Sequence, residues 1–126
     1  MYKILVVDND SDTLETISLS LGSGGYEVIK AEGGQKAIML VQKVPIDLIL
    51  LDIMMPEIDG IQVCKILAAN KETAKIPIIF ISALPVESRN FKEAMAETKD
   101  LPNFKGAIEK PFQLEVLLKK IAKTLR

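Results

Sequence analysis

Apolar residues in this chain fall into short blocks of two kinds. The run 48–51, LILL, is apolar on both faces and too short for a helix, which predicts a central parallel strand covered on both sides. Residues 2–7 (YKILVV) predict strand one, 26–31 strand two, 78–81 (IIFI) strand four, and 106–109 a short strand five. Between them the spacing turns helical. Leu14, Ile17, Leu19 and Leu21 form the apolar set of a helix from Ser11 to about Leu21, with Ser11 or Asp12 as cap, Glu15 completing a box, and Gly22, Gly24 and Gly25 as its stop. A second helix opens at Gly33-Gly34, turns Ala37, Ile38 and Val41 inward, and is closed by Pro45. The third runs from about Gly60 to Ala69 on Ile61, Cys64, Ile66 and Leu67, and the fourth covers Arg89 to Glu97 before residues 100–103 break it. Phe112 to Leu125 forms the last, with Leu114, Leu117, Leu118, Ile121 and Leu125 as its buried stripe.

Strands alternating with helices, without an internal repeat or linker, predict the α/β class. The expected architecture is a single doubly wound five-stranded parallel sheet with helices on both faces and right-handed crossovers, in one domain over residues 1–126. With 126 residues, 48% of them hydrophobic, the chain has material for one good core.

Charge and composition narrow the chemistry. A net charge of −1 without a basic block predicts no direct nucleic-acid contact by this chain. One cysteine, Cys64, excludes an internal disulfide, and the absence of histidine excludes an imidazole base and a zinc site of the usual kind. Charged residues interrupt the N-terminal apolar run, so it reads as neither signal peptide nor membrane span, and a cytoplasmic setting is expected. Gly22 to Gly25 lacks the lysine and hydroxyl of a phosphate-binding P-loop. Chemistry is left to carboxylates, hydroxyls and lysines.

Those groups stand at strand ends. Strand one runs into Asp8-Asn9-Asp10, strand three into Asp52, strand four into Ser82 and strand five into Lys110. In an open parallel sheet all four ends share one edge, where ligands bind. Carboxylates gathered there repel unless a cation joins them, and oxygen ligands of this type suit Mg²⁺. Asp52 could then attack a phosphoryl group, with Lys110 offsetting its charge and the Ser82 hydroxyl donating to it. Plainer readings exist for each: Asp8, Asn9 and Asp10 as helix caps, Lys110 as a structural ion-pair partner, Ser82 as a cap for the following segment.

Taken in order, the acidic turn after strand one, DIMMPEIDG around Asp52, the hydroxyl in FISA and the KPF after strand five resemble the receiver domain of two-component response regulators across essentially the whole chain. The resemblance implies a flavodoxin-like strand order 2-1-3-4-5 and a phosphorylation switch rather than a turnover enzyme. It makes Asp52 the phospho-acceptor, Asp8 and Asn9 the acidic-pair positions, Met54 the donor of a backbone carbonyl to Mg²⁺, Ser82 the switch hydroxyl and Lys110 the phosphate-contacting lysine. A cis Lys110-Pro111 peptide is expected as well. The implied partners are a sensor histidine kinase or histidine phosphotransfer protein upstream and an unidentified protein or output domain downstream, with no membrane and with a homodimer on phosphorylation left open.

Three positions depart from the pattern. Asn9 replaces an acid, so Mg²⁺ should bind more weakly than at a diacid site, with Asp10 as a candidate substitute. Ala107 stands three before Lys110, where receivers usually carry the aromatic that moves with the hydroxyl, which leaves backbone shifts or Phe104 to carry a signal. The Ser82 to Lys110 interval is also longer than usual, by about a helical turn or more. Asn9 and Ala107 motivate an alternative: a pseudo-receiver that binds protein without phosphate. A third reading, a flavodoxin-like enzyme or haloacid-dehalogenase-like phosphatase, lacks the second acid two residues on, where Met54 sits. Met54 and Leu84 flank the pocket and cannot orient water, so an acyl phosphate on Asp52 is expected to hydrolyse slowly. A stand-alone receiver and a fragment of a larger regulator both remain compatible with the sequence.

Overall fold

A computed structural model of the chain describes residues 1–85 and 87–126. Five strands alternate with five helices: β1 Lys3–Val7, α1 Ser11–Ser23, β2 Glu27–Ala31, α2 Gly34–Lys43, β3 Leu48–Asp52, α3 Gly60–Ala68, β4 Ile78–Ser82, α4 Arg89–Thr98, β5 Phe104–Glu109 and α5 Leu114–Leu125. All pairings are parallel, in the order β2-β1-β3-β4-β5.

Side chains of a strand point alternately to opposite faces, and in this sheet both faces are apolar. Leu5, Val7, Ile49, Leu51, Ile78 and Phe80 face the layer that holds Ala37 and Val41 of α2, Val63 and Leu67 of α3 and Ala94 of α4. Ile4, Val6, Leu48, Leu50, Ile79 and Ile81 face Leu14, Ile17 and Leu21 of α1 and Leu117 and Ile121 of α5. Each fully buried Leu or Ile contributes about 2 kcal/mol in removed apolar surface, so β1, β3 and β4 anchor the fold from both sides.

Helix positions depart from the expected stripes where phase or end effects intervene. Leu19 is 64% exposed because it lies two residues from both Ile17 and Leu21, about 200° away around the helix. Ile66 is exposed on the flank of α3 while Val63 takes the core position. Leu114 is also exposed, in the first turn of α5. Neither Ser11 nor Asp12 caps α1; Asp10 does, its side chain accepting from the Asp12 amide. No box with Glu15 forms, since Glu15 instead pairs with Lys30 of β2 at 2.8 Å. The reciprocal box appears on α3, where Asp59 accepts from the Gln62 amide and the Gln62 side chain accepts from the Asp59 amide.

Gly22 remains inside α1, and Gly24 supplies the C-cap. Strand β5 begins two residues before Gly106: the pairing shifts between Ile78↔Phe104 and Phe80↔Ala107, and Gly106 adopts a φ of 116° at that bulge. Phe104 and Ala107 consequently share one face of the sheet. The Lys110–Pro111 peptide is cis, as expected.

Candidate functional site

Strand order reverses between β1 and β3, and the crevice at such a reversal lies beyond the carboxyl ends of the two strands. Val7 pairs with Leu51, so the next residues along, Asp8 and Asp52, come side by side. Both are buried. Lys110 enters from β5: its amide bonds the Ser82 carbonyl at 2.7 Å, and its ammonium crosses the strand ends to Asp8 Oδ2 at 3.1 Å and Asp52 Oδ1 at 4.0 Å. Three of the expected side chains therefore converge.

Their electrostatics are unbalanced. Burial, followed by the neighbouring Asp8 charge, raises the Asp52 carboxyl to about 6, against the pull of Lys110 and the Met54 backbone amide. Two carboxylates and one ammonium leave the pocket one charge negative. Asp8 is held at both oxygens, since Oδ1 accepts the Asp10 amide at 2.9 Å and Oδ2 accepts Lys110.

The other expected residues lie at the rim or turn away. Asn9 is exposed and lines a small cleft with Glu32, Lys36 and Glu57. The Met54 side chain is 58% exposed. The buried Ser82 hydroxyl accepts the Leu84 amide at 2.9 Å, and among the described residues it makes no hydrogen bond to Asp52. That is the capping geometry, which a sequence leaves open because it depends on where a neighbouring amide points. Asp10, the candidate substitute for the missing acid, has both oxygens engaged, with the Asp12 amide at 3.1 Å and the Thr13 hydroxyl at 2.8 Å. Those two bonds hold its carboxyl below the usual range. Among the described residues no three acidic side chains form a metal-holding group.

The loop that carries Asp52 forward is shaped by residues whose part could not be read from composition. Gly60 comes so close that an added Cβ would collide with the Asp52 carbonyl oxygen and meet Ile53 Cα at 2.9 Å. Glu57 takes a φ of 67°, and the Ile58 amide bonds the Pro56 carbonyl across it at 2.8 Å. Beside the pocket, a groove of about 670 Å³ runs between α1 and the start of α5, with Thr16, Ile17, Phe112 and Leu117 in its walls and Lys110 at its end.

A flavodoxin-like doubly wound sheet with an acidic pocket and a lysine at its switch point defines the class. The family model for the response regulator receiver domain matches residues 4–122, and the chain belongs to that family: it is a receiver domain of the two-component response regulators. It is 32% identical over 126 residues to the DNA-binding dual master transcriptional regulator RpaA of Synechocystis sp., covering 100% of this chain and 50% of that protein. It is 34% identical over 124 residues to the response regulator MprA of Mycobacterium leprae, covering 98% and 51%. The chain thus spans about half the length of these relatives. Among solved structures it resembles the chemotaxis response regulator CheY4 of Vibrio cholerae, with TM-score 0.86 and 30% identity over 99% of both chains. A putative response regulator from Chloroflexus aurantiacus superposes with TM-score 0.86 at 27% identity, covering 98% of this chain and 97% of that one. No helix among the described residues is long and apolar enough to cross a membrane.

Proposed function

We propose that this receiver accepts a phosphoryl group on Asp52 from a histidine kinase or histidine phosphotransfer protein and thereby switches the surface it offers to a downstream protein or output domain. The observation that carries the reading is the convergence of Asp52, Asp8 and Lys110 at the strand-end crevice. An Asp52 oxygen attacks the phosphorus, the bond to the donor nitrogen breaks, and the product is an acyl phosphate. Lys110, already 4.0 Å from Asp52, faces the charge carried by the transferred group. The Ser82 hydroxyl, which donates to the Leu84 carbonyl at 3.5 Å, would redirect that O–H to a phosphoryl oxygen, which couples the pocket to the β4–α4 connection. The groove beside Lys110 offers a donor protein an apolar foothold next to the acceptor.

The donor set fits a hard divalent cation. Asp8 and Asp52 repel across a pocket one charge negative, and carboxylate, amide and carbonyl oxygens are the ligands Mg²⁺ takes. Asp8, Asp52, the Asn9 amide oxygen and the Met54 carbonyl would hold it. When bound, Mg²⁺ neutralises phosphoryl charge in the transfer.

Intact mass after incubation with acetyl phosphate and Mg²⁺ tests the reading: the native chain gains one phosphoryl group and Asp52→Ala gains none. Equal labelling of both would overturn it. The adduct should decay slowly, because Met54 and Leu84 offer no polar group to an attacking water; loss within seconds contradicts that.

Asn9, the committed Asp10 and the Leu84-bound Ser82 favour a second reading, a pseudo-receiver that binds protein without phosphate. Titration with Mg²⁺ and beryllofluoride separates the two. Asp52-dependent binding supports the switch, and no binding at millimolar metal supports the pseudo-receiver.

A further inference from the structure

Residue 10 joins the pocket to helix α1 through four hydrogen bonds. Its amide donates to Asp8 Oδ1 at 2.9 Å, and its carbonyl accepts the Leu14 amide at 3.0 Å. Its carboxylate accepts the Asp12 amide at 3.1 Å and the Thr13 hydroxyl at 2.8 Å. Among the described residues the Asp8 carboxylate accepts the Lys110 ammonium at one oxygen and this amide at the other, so the direction of the residue 10 amide sets the plane of the acid. That direction depends on the extended backbone at Asp10, with φ −93° and ψ 112°, which the cap bonds hold in place.

We propose that Asp10 and Thr13 are positioning residues for Asp8, fixing its carboxylate against Lys110 and Asp52, and that Asp10 is not a substitute cation ligand for the missing acid at position 9. Two independent observations agree. Both Asp10 oxygens already have donors, and no third acidic side chain joins Asp8 and Asp52 as a metal-holding group among the described residues. Groups one step behind a ligand orient it, and their loss typically weakens metal binding by about tenfold or more. The kinetic part of this proposal rests on the phospho-acceptor reading; the structural part does not.

The test compares Asp10→Ala with Asp10→Ser and Thr13→Val with Thr13→Ser, since serine keeps a capping or donating hydroxyl that alanine and valine lack. One readout is the Mg²⁺ concentration giving half-maximal labelling of Asp52 by acetyl phosphate. The other is hydrogen exchange of the amide at position 10 without metal or phosphate. The expected result is a rise of about tenfold in the Mg²⁺ midpoint for Asp10→Ala and Thr13→Val, with faster exchange at position 10. Both serine variants should stay within about twofold of the native chain in both readouts. If Asp10→Ser fails as badly as Asp10→Ala while Thr13→Val is silent, Asp10 is a ligand and the proposal is overturned. A lowered melting temperature with unmoved midpoint and exchange overturns it too. Should the native chain take no phosphoryl group at all, the phospho-acceptor reading fails, and exchange at position 10 still decides the positioning claim by the same pattern.

Discussion

Helices α3 and α4 lie on the same face of the sheet, yet they are held very differently. Helix α3 buries Gly60, Ile61, Val63, Cys64 and Leu67 in nine residues and starts with a reciprocal capping box. Helix α4 buries only Ala94 and Thr98 in ten, and begins with a single Ser88 bond to the Phe91 amide. The contrast follows from composition: α4, RNFKEAMAET, has few large apolar residues to offer, and the half-buried Phe91 and Met95 supply most of them. The loop that brings Asp52 to the crevice leads into the rigid helix, whereas Ser82 leads toward the thinly packed one. On the proposed phospho-acceptor reading, the acceptor benefits from a fixed frame, and the switch benefits from an element with little to lose when it shifts. The pocket sits between the two.

The largest way to break that contrast is at Gly60. A methyl group there meets backbone that cannot give way, so Gly60→Ala should cost about 4 kcal/mol or prevent folding. Gly22→Ala is the control: its Cβ points into open space within α1, and the change should stabilise by about 0.5–1 kcal/mol. Urea unfolding of the two variants checks both signs. Next in size is a pair of core truncations. Leu67→Ala in α3 should cost about 3 kcal/mol, while Met95→Ala in α4, which leaves no sealed cavity, should cost about 1 kcal/mol. Hydrogen exchange sharpens this pair: α4 amides should exchange through local opening well below the global unfolding energy, and α3 amides should not.

A smaller effect comes from the pocket itself. Asp52 binds its proton up to about pH 6 in the folded chain, whereas an unfolded aspartate releases it near 4. Between those values the native state holds more protons than the unfolded state, so stability falls as pH rises, and the loss persists above pH 6. Asp52→Asn removes the penalty. The variant should exceed the native chain by about 1–3 kcal/mol at pH 7.5, and the difference should vanish below pH 4. Denaturant melts across that range check it, and a native chain that gains stability from pH 4 to 6 through this site would refute the assignment.

How much of this was legible beforehand depends on what decides each feature. Strands β1, β3 and β4 were readable because both faces are buried, and no alternation had to be phased. Convergence of Asp8, Asp52 and Lys110 followed from topology alone, since parallel strands put their ends on one edge. Leu19 and Ile66 are apolar yet exposed, because helical phase and not hydrophobicity alone decides which side chains of a helix meet the sheet. The Ser82 hydroxyl and the Asp10 carboxylate were ambiguous for another reason. Each can serve a backbone amide or a ligand, and only the position of the Leu84 and Asp12 amides decides.

The smallest predicted effect concerns the turn between the pocket and α3. Glu57 holds a φ of 67°, on the left-handed side that a side chain bearing a Cβ adopts at a cost, and the bond from Ile58 to Pro56 closes the turn around it. Its side chain is exposed, so little packing compensates. The strain persists because the neighbours over-determine it: Gly34 packs so closely that a Cβ there would meet Ile58 Cγ2 and Val63 Cγ2 at 2.7 Å, pinning the turn between α2 and α3. Glycine at position 57 relieves the strain but adds freedom to the unfolded chain, and the two effects oppose each other. Relief should win by about 0.5–1 kcal/mol, because the left-handed cost for a non-glycine residue is about 1–2 kcal/mol and glycine's entropic penalty is smaller. Glu57→Gly should therefore raise the urea midpoint slightly without changing the slope, and leave the proposed phosphorylation of Asp52 intact. A lowered midpoint would mean that the frame around Asp52 relies on the glutamate side chain, and that the rigid side of the pocket extends further along the loop than its burial indicates.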